Sequence, residues 1–424
     1  MDTRKSVITS DMEGRIQTFN EAAEEIFGYQ AEEVVGKKRV SLFSPGPIVL
    51  GHVGDWLATA DEEGEYVGKT VFVRKDGSKF AARIRITPTW KDKEAGERLG
   101  YCGVTEPLED VEPEEVMPEV GLLTSIFRWL VITRAPFLTA ALVPVSIGTA
   151  WAAFSGASFP WWQVALAAIG GAALQVAANT FNDYFDWRSG TDPANNDYFQ
   201  ALSGGSRAIE LGLISEQGTY LVGAAAALVA ALVGGVFTLV SGTGILLFGL
   251  AGLFSSYFYT APPLRLVARR GLGELLIGLN FGPLMVAGTV YALTGSVSTM
   301  DFLVGLPIGL LTTAILWINE FPDAEADAAT GKEHLVVVLG KDLARWGYLL
   351  LLVGAYGLIA VGVALGVAPA WTLLAYLGLP FAARAVYHLF KHMRSRELVS
   401  ANASTILTHL ISGVALAVGL FIGG

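Results

Sequence analysis

From about residue 122 to its end the chain is a series of long apolar runs separated by short polar links. Nine runs are discernible, at approximately 128–153, 160–184, 217–240, 243–260, 271–294, 300–320, 344–366, 368–388 and 404–422. Each is near the roughly 20 residues that a helix needs to cross about 30 Å of hydrocarbon. The runs are continuous rather than alternating, which predicts helices and excludes a barrel. Small-residue clusters such as Gly170-Gly171-Ala172-Ala173 and Gly223-Ala224-Ala225-Ala226 permit close helix packing. A hydrophobic content of 52% against 16% charged residues fits a membrane protein with a soluble part.

The soluble part comes first. Val7-Ile8-Thr9 and Arg15 to Phe19 flank the turn Asp11-Met12-Glu13-Gly14, which predicts a hairpin. Asn20 is placed to cap a helix from Glu21 to Phe27 that Gly28 ends. Thr70–Arg74 and Lys79–Ile86 form a second hairpin around Lys75-Asp76-Gly77, and Leu99–Thr105 a fifth strand. The stretch Ile8 to Asp11, Phe19-Asn20-Glu21 to Gly28-Tyr29, Glu32-Glu33-Val34-Val35-Gly36 and the Arg74–Ser78 hairpin resemble a PAS domain. That resemblance implies an α+β sensor or dimerisation module over residues 1–107, and a possible homodimer through it. The flavin-bonding cysteine motif of the light-sensing PAS subgroup is missing, since Cys102 lies in the last strand. His52 is the one candidate haem ligand, with an ordinary surface-loop histidine as the favoured reading. An acidic, proline-containing linker follows at 108–121.

The links after the second, fourth, sixth and eighth runs carry Arg188 and Arg207; Arg265, Arg269 and Arg270; Lys332, Lys341 and Arg345; and Lys391, Arg394 and Arg396. The alternate links carry no Lys or Arg. The positive-inside rule therefore puts the N-terminal domain and these basic links in the cytoplasm of a multi-pass cell-membrane protein. Met1 is not followed by an apolar signal region, so no cleaved leader is expected. The single cysteine, Cys102, excludes an intrachain disulfide and a cysteine metal cluster. The net charge of −10 is partly carried by the soluble end and linker and says little about substrate; neither part points to nucleic acid.

Two acidic stretches close apolar runs on the cytoplasmic side: Asn179-Thr180-Phe181-Asn182-Asp183-Tyr184-Phe185-Asp186, and Asn319-Glu320-Phe321-Pro322-Asp323-Ala324-Glu325-Ala326-Asp327. Ionisable residues at that depth are costly and read as functional. Spacings of three and four put Asn179, Asp183 and Asp186 on one helical stripe, and Asn319, Asp323 and Asp327 on another. Such hard oxygen ligands suit Mg²⁺ shared with phosphate oxygens. No histidine or cysteine is expected beside them, which argues against zinc or iron. Basic residues stand nearby: Arg207 closes the turn Ser203-Gly204-Gly205-Ser206, Arg265 follows Tyr259-Thr260-Ala261-Pro262-Pro263, and Lys332 follows Thr330-Gly331. Metal-binding acids with separate cations are what a diphosphate needs. Arg269 and Arg270 read as topology charges; Glu274 and Asn280 either face a cavity or make a buried structural hydrogen bond; His388, His392 and His409 read as packing or interfacial residues.

Asn-Asp-Tyr-Phe-Asp at 182–186 with Gly190-Thr191-Asp192, Ser-Gly-Gly-Ser-Arg at 203–207, Tyr-Thr-Ala-Pro-Pro-Leu-Arg at 259–265, Gly271-Leu272-Gly273-Glu274, Phe281-Gly282-Pro283 and Asn319 to Lys332 resemble the UbiA superfamily of intramembrane aromatic prenyltransferases. The resemblance covers 122–424. It implies an all-α bundle of nine transmembrane helices around a central cavity, Mg²⁺ as cofactor, and a polyprenyl diphosphate and an aromatic acceptor as substrates. By position it implies that Asn179, Asp183, Asp186, Asp323 and Asp327 hold Mg²⁺ and that Arg207 and Lys332, with Arg265 and Asn319 as further candidates, hold the diphosphate. Tyr184, Phe185 and Tyr259 are candidates for stabilising an allylic cation through their rings, with packing as the alternative. Gly190 stands where the common motif has a further aspartate, and the next acid is Asp192, a ligand or a loop acid; the Gly-x-Asp variant resembles the branch that prenylates 1,4-dihydroxy-2-naphthoate in menaquinone synthesis. Many relatives also have a basic residue just before the second-motif aspartate, where Pro322 stands here. Other acceptors of the superfamily (4-hydroxybenzoate, a chlorin or haem, a glycerol-phosphate lipid) and a PAS-controlled sensor or transporter are the competing readings.

Overall fold

The computed structural model describes residues 5–92, 94, 96–194 and 205–424. Its contacts divide the chain into two units, Met1–Ile132 with Arg207–Ser215, and Thr133–Ser206 with Glu216–Gly424.

In the first unit five antiparallel strands, β1 (Ser6–Asp11), β2 (Ile16–Phe19), β3 (Tyr66–Val73), β4 (Lys79–Asp92) and β5 (Glu97–Pro107), form a sheet in the order β2-β1-β5-β4-β3. Both expected hairpins are present, with Ile8 opposite Phe19 and Val73 opposite Lys79. The Asn20 side chain accepts from the Ala23 backbone N–H and Gly28 ends the Glu21–Phe27 helix in the left-handed conformation, as the residue types at those two places dictate. Phe19, Phe27, Phe43, Phe72 and Phe80 pack into one aromatic core. His52 joins the short Gly46–Gly51 helix to Val53–Glu63, with its Nε2 at 3.3 Å from the Glu119 carbonyl.

The first unit runs to Ile132. Leu122–Ile132 is a helix of its own, and Ile132 is buried in an apolar cluster with Ala208, Leu211, Leu213, Val49 and Leu50. The nine residues Arg207–Ser215 thus pack within the first unit, although they lie in the chain between two helices of the second.

The second unit is helical. Among the described residues eight helices are long and apolar enough to cross a membrane: Ala135–Phe154, Trp161–Arg188, Glu216–Ser241, Leu272–Thr294, Thr299–Ala329, Lys341–Ala364, Ala370–His392 and Arg396–Gly423. The protein is a multi-pass membrane protein. The expected count of nine is not met by length: the 243–260 run yields Ile245–Phe258, a helix of 14 residues, about 21 Å long at 1.5 Å per residue. The chain leaves it through Tyr259-Thr260-Ala261-Pro262-Pro263, where two prolines forbid another helical turn. Leu221, Leu228, Leu232 and Leu239 leave the Glu216–Ser241 helix with a broad exposed apolar face, the surface that hydrocarbon covers.

Two helices that carry site residues touch backbone to backbone. A Cβ on Gly282 would lie 2.6 Å from both the Gly305 carbonyl oxygen and the Gly309 Cα, and one on Gly305 would lie 2.7 Å from Gly282. Gly282 sits in a π-helical turn, Asn280–Leu284, between Leu272–Leu279 and Met285–Thr294, a local widening that often accompanies functional sites. Gly282→Val is expected to cost about 2–3 kcal/mol by overpacking this crossing. A thermal melt of the detergent-solubilised protein reads that loss; an unchanged midpoint would refute the close approach.

Candidate active site

The Trp161–Arg188 helix ends in the first acidic stretch and the Leu306–Ala329 helix in the second. Both continue through their acids without a break, so the residues three and four apart stay on one face. Two hydroxyls join the ends, with Thr191 Oγ1 donating to Thr330 Oγ1 at 3.2 Å.

Asp183 and Asp186 are buried. Asp183 Oδ1 accepts the Ser206 backbone N–H at 3.1 Å and lies 3.8 Å from the Arg134 guanidinium. Asp186 Oδ2 accepts from Asn182 Nδ2 at 3.1 Å and from Lys332 Nζ at 3.2 Å. Lys332 also lies 3.7 Å from Asp327 Oδ1, so its ammonium bridges the two acidic stretches. Burial alone would lower its pKa, but the charges of Asp186 and Asp327 reverse that and hold it well above the ordinary lysine value. Lys332 is therefore a permanent cation over the physiological range.

The asparagines fix the first stretch to its surroundings. Asn179 Oδ1 accepts from Gln175 at 2.8 Å, and its Nδ2 donates to the Thr133 carbonyl at 3.1 Å. Asn182 Nδ2 also donates to Thr260 Oγ1 at 3.1 Å. Asn319 Oδ1 accepts from Asn402 on the last helix at 2.7 Å. Gly205 has φ +77°, and a Cβ there would lie 2.9 Å from Asp183 Oδ1 and 3.3 Å from Asp192 Oδ2. Glycine is thus required both by conformation and by space, and Asp192 joins Asp183 at this point.

Asn179, Asp186, Asp192, Asn319, Asp323, Asp327, Lys332 and Tyr259 all line one cavity of about 310 Å³. The rest of its wall is largely apolar and includes Phe137, Phe237, Phe248 and Phe281. Glycines also contribute to the wall; those at 234 and 249 have no atom near enough to meet an added Cβ. Polar donors at one end and an apolar chamber beyond suit an amphiphile with an anionic head.

Arg265, at the end of the proline turn, does not line this cavity. Arg207 belongs to the first unit and is paired with Glu210 at 3.2 Å. Ser203 and Gly204 of the glycine turn lie outside the described residues. Tyr184 packs at a tilt against Tyr220 and Phe185 edge-on against Tyr257, and neither is in the cavity wall, so of the three ring candidates Tyr259 alone lines the cavity. His409 is buried against Thr312 at 3.1 Å. One expectation is overturned: a histidine does stand beside the acids. His334 is completely buried and its Nε2 lies 3.0 Å from Asp327 Oδ2. Arg134 lies inside the first apolar run, where a cation is itself the signal of a site.

The residues present fit a divalent cation. Asp183 Oδ2 and Asp186 Oδ1 are buried oxygens with no hydrogen-bond partner among the described residues. Their other oxygens are held by Ser206, Asn182 and Lys332, so both carboxylates are oriented and each keeps one oxygen in reserve. An all-oxygen donor set of this kind suits Mg²⁺.

Comparison with known proteins agrees with this architecture. The UbiA prenyltransferase family matches residues 141–418 and the PAS domain family residues 4–104. A 2-carboxy-1,4-naphthoquinone phytyltransferase of Synechocystis is 31% identical over 301 residues, covering 69% of this chain and 92% of that protein. A 1,4-dihydroxy-2-naphthoate octaprenyltransferase of Bacillus subtilis is 29% identical, covering 69% and 91%. Among solved structures, a UbiA homologue from Aeropyrum pernix superposes with a TM-score of 0.53 at 17% identity, over 67% of this chain and 97% of that one. A UbiA homologue from Archaeoglobus fulgidus bound to GPP and Mg²⁺ gives 0.51 at 18% identity, over 70% and 99%. At those identities the structural likeness speaks for the fold.

Proposed function

The chain belongs to the UbiA prenyltransferase family, and from that premise we propose that it transfers a polyprenyl group from polyprenyl diphosphate to 1,4-dihydroxy-2-naphthoate, with Mg²⁺, at the cytoplasmic face of the cell membrane. The observation that carries the reading is the convergence of both acidic stretches and Lys332 on one apolar cavity. The acceptor is favoured by the naphthoate and naphthoquinone transferases among the relatives and by the Gly190-x-Asp192 spacing.

Asp183, Asp186, Asp323 and Asp327 would hold the metal, with Asn179 and Asp192 adjoining the first pair. When bound, Mg²⁺ neutralises charge on the departing diphosphate. Lys332 and Arg134 add fixed positive charge at the same end of the cavity, where the leaving group gains negative charge as the allylic C–O bond breaks. The wall of Phe137, Phe237, Phe248 and Phe281 keeps water from the allylic cation. The Tyr259 ring adjoins the polar end and offers it a π face. Diphosphate departs with the C–O electron pair, an electron-rich ring carbon of the acceptor forms the new C–C bond, and the ring regains aromaticity by losing a proton, or the carboxylate as CO2, from that carbon.

Asp183→Ala and Asp323→Ala are each expected to lower prenyl transfer in isolated membranes by at least a hundredfold. Mass spectrometry after feeding the naphthoate and 4-hydroxybenzoate should find only the prenylated naphthoate. Near-wild-type turnover in either variant would sink the site, and a prenylated benzoate would sink the acceptor.

We also propose that the N-terminal unit modulates the transferase. Ser206, whose N–H holds Asp183, is directly followed by the segment Arg207–Ser215 that packs within the first unit. There a Cβ on Gly46 would collide with the Leu211 carbonyl and come within 2.7 Å of Leu213. Gly46→Ala is therefore expected to change turnover at least threefold while the protein still inserts and extracts normally; unchanged turnover would speak against coupling.

A further inference from the structure

The transfer reaction leaves unused a second group of buried polar side chains behind the second acidic stretch. Glu274 comes from the start of the Leu272–Leu279 helix, Glu320 from the Leu306–Ala329 helix, and His334 from the turn two residues past Lys332. Their relative exposures are 3%, 5% and 0%. One donor atom from each lies within 4.8 Å of the other two.

The hydrogen bonds define which atoms are available. His334 Nδ1 accepts the Val337 backbone N–H at 3.4 Å, so Nδ1 carries the lone pair, and this long contact is the one that a metal ligated there would replace. Nε2 then carries the proton, and it donates to Asp327 Oδ2 at 3.0 Å. The same Nδ1 faces Glu320 Oε2 at 3.5 Å. A lone pair and a carboxylate oxygen at that distance repel unless a proton or a metal cation lies between them. Glu320 has no hydrogen-bond partner on either oxygen among the described residues, and Glu274 has none on Oε2. Glu274 Oε1 is already engaged, accepting the Leu335 N–H at 2.6 Å. Two buried carboxylates with unmet oxygens cost several kcal/mol without a compensating cation.

We propose that Glu274, Glu320 and His334 bind one divalent transition-metal ion of the Mn²⁺ or Zn²⁺ kind, separate from the Mg²⁺ held by the aspartates. An imidazole nitrogen beside two carboxylates selects such ions over Mg²⁺. Asp327 fixes the ring tautomer from the far side, the usual support for a ligating histidine. The ion joins the entry of one membrane helix, the acidic end of another and the turn that carries Lys332, so it holds the bridging ammonium in place.

The test uses the full-length protein in detergent, stripped with chelator and titrated with Mn²⁺ under saturating Mg²⁺, with free Mn²⁺ read by electron paramagnetic resonance. Wild type is expected to retain one Mn²⁺ per chain, and Asp183→Asn/Asp323→Asn to retain it as well. Glu320→Gln and His334→Ala should each weaken it at least tenfold, and Mn²⁺ should raise the melting temperature of wild type but not of Glu320→Gln. No Mn²⁺ held by wild type under saturating Mg²⁺ overturns the proposal, whatever the variants do. So does an ion lost in Asp183→Asn/Asp323→Asn but kept in Glu320→Gln. Neither readout depends on prenyl transfer, so a wrong assignment of the reaction leaves the result interpretable.

Discussion

Everything in the second unit depends on one interaction, the Lys332 ammonium held between Asp186 and Asp327. Carboxylates buried at the ends of apolar helices are costly when unpaired. Here a single cation shared by both stretches offsets part of that cost and ties helix ends that are far apart in sequence. The remaining charge is spread over Arg134 at Asp183 and over the Ser206 N–H. Each carboxylate of the first stretch still keeps a buried oxygen without a hydrogen-bond partner among the described residues. A divalent cation and an anion bound together, as proposed, would meet these groups.

Close backbone packing makes that assembly possible. The glycines at 282, 305 and 309 let two membrane helices approach to backbone distance, and the π-helical turn at Asn280–Leu284 accommodates the approach. Glu274 lies at the start of one of these helices and Glu320 near the end of the other. A bulkier residue at the crossing would separate these two glutamates.

Much of this was legible in the sequence because membrane physics is restrictive. Long apolar runs can only be helices, and acids at their ends are too costly to be accidental, so both acidic stretches were visible without a fold. The first hairpin and the Asn20–Gly28 helix were legible for local reasons, as turn and cap residues act within a few positions. What the sequence hid were partners and boundaries. Arg134 was absorbed into an apolar run. His334 lies only seven residues past Asp327, but nothing in its neighbours marks it as turned inward. The Ile245–Phe258 helix reads as a full span because Tyr259, Thr260 and Ala261 are hydropathically neutral, and only Pro262-Pro263 shows where it stops. The Arg207–Ser215 segment is a loop by composition, and its place in the first unit comes from tertiary packing of Leu211 and Leu213.

The central claim is that the two acidic stretches close on one another to make a single polar end of the cavity. Thr191 Oγ1 and Thr330 Oγ1 meet at 3.2 Å where the two stretches join, so a cysteine pair at these positions reports the approach. In a Cys102→Ser background, Thr191→Cys/Thr330→Cys should form an intrachain disulfide under mild oxidation, read as the loss of both maleimide-reactive thiols and as a linked peptide by mass spectrometry. Two thiols that stay fully reactive after oxidation would show that the stretches do not meet, and would contradict the account.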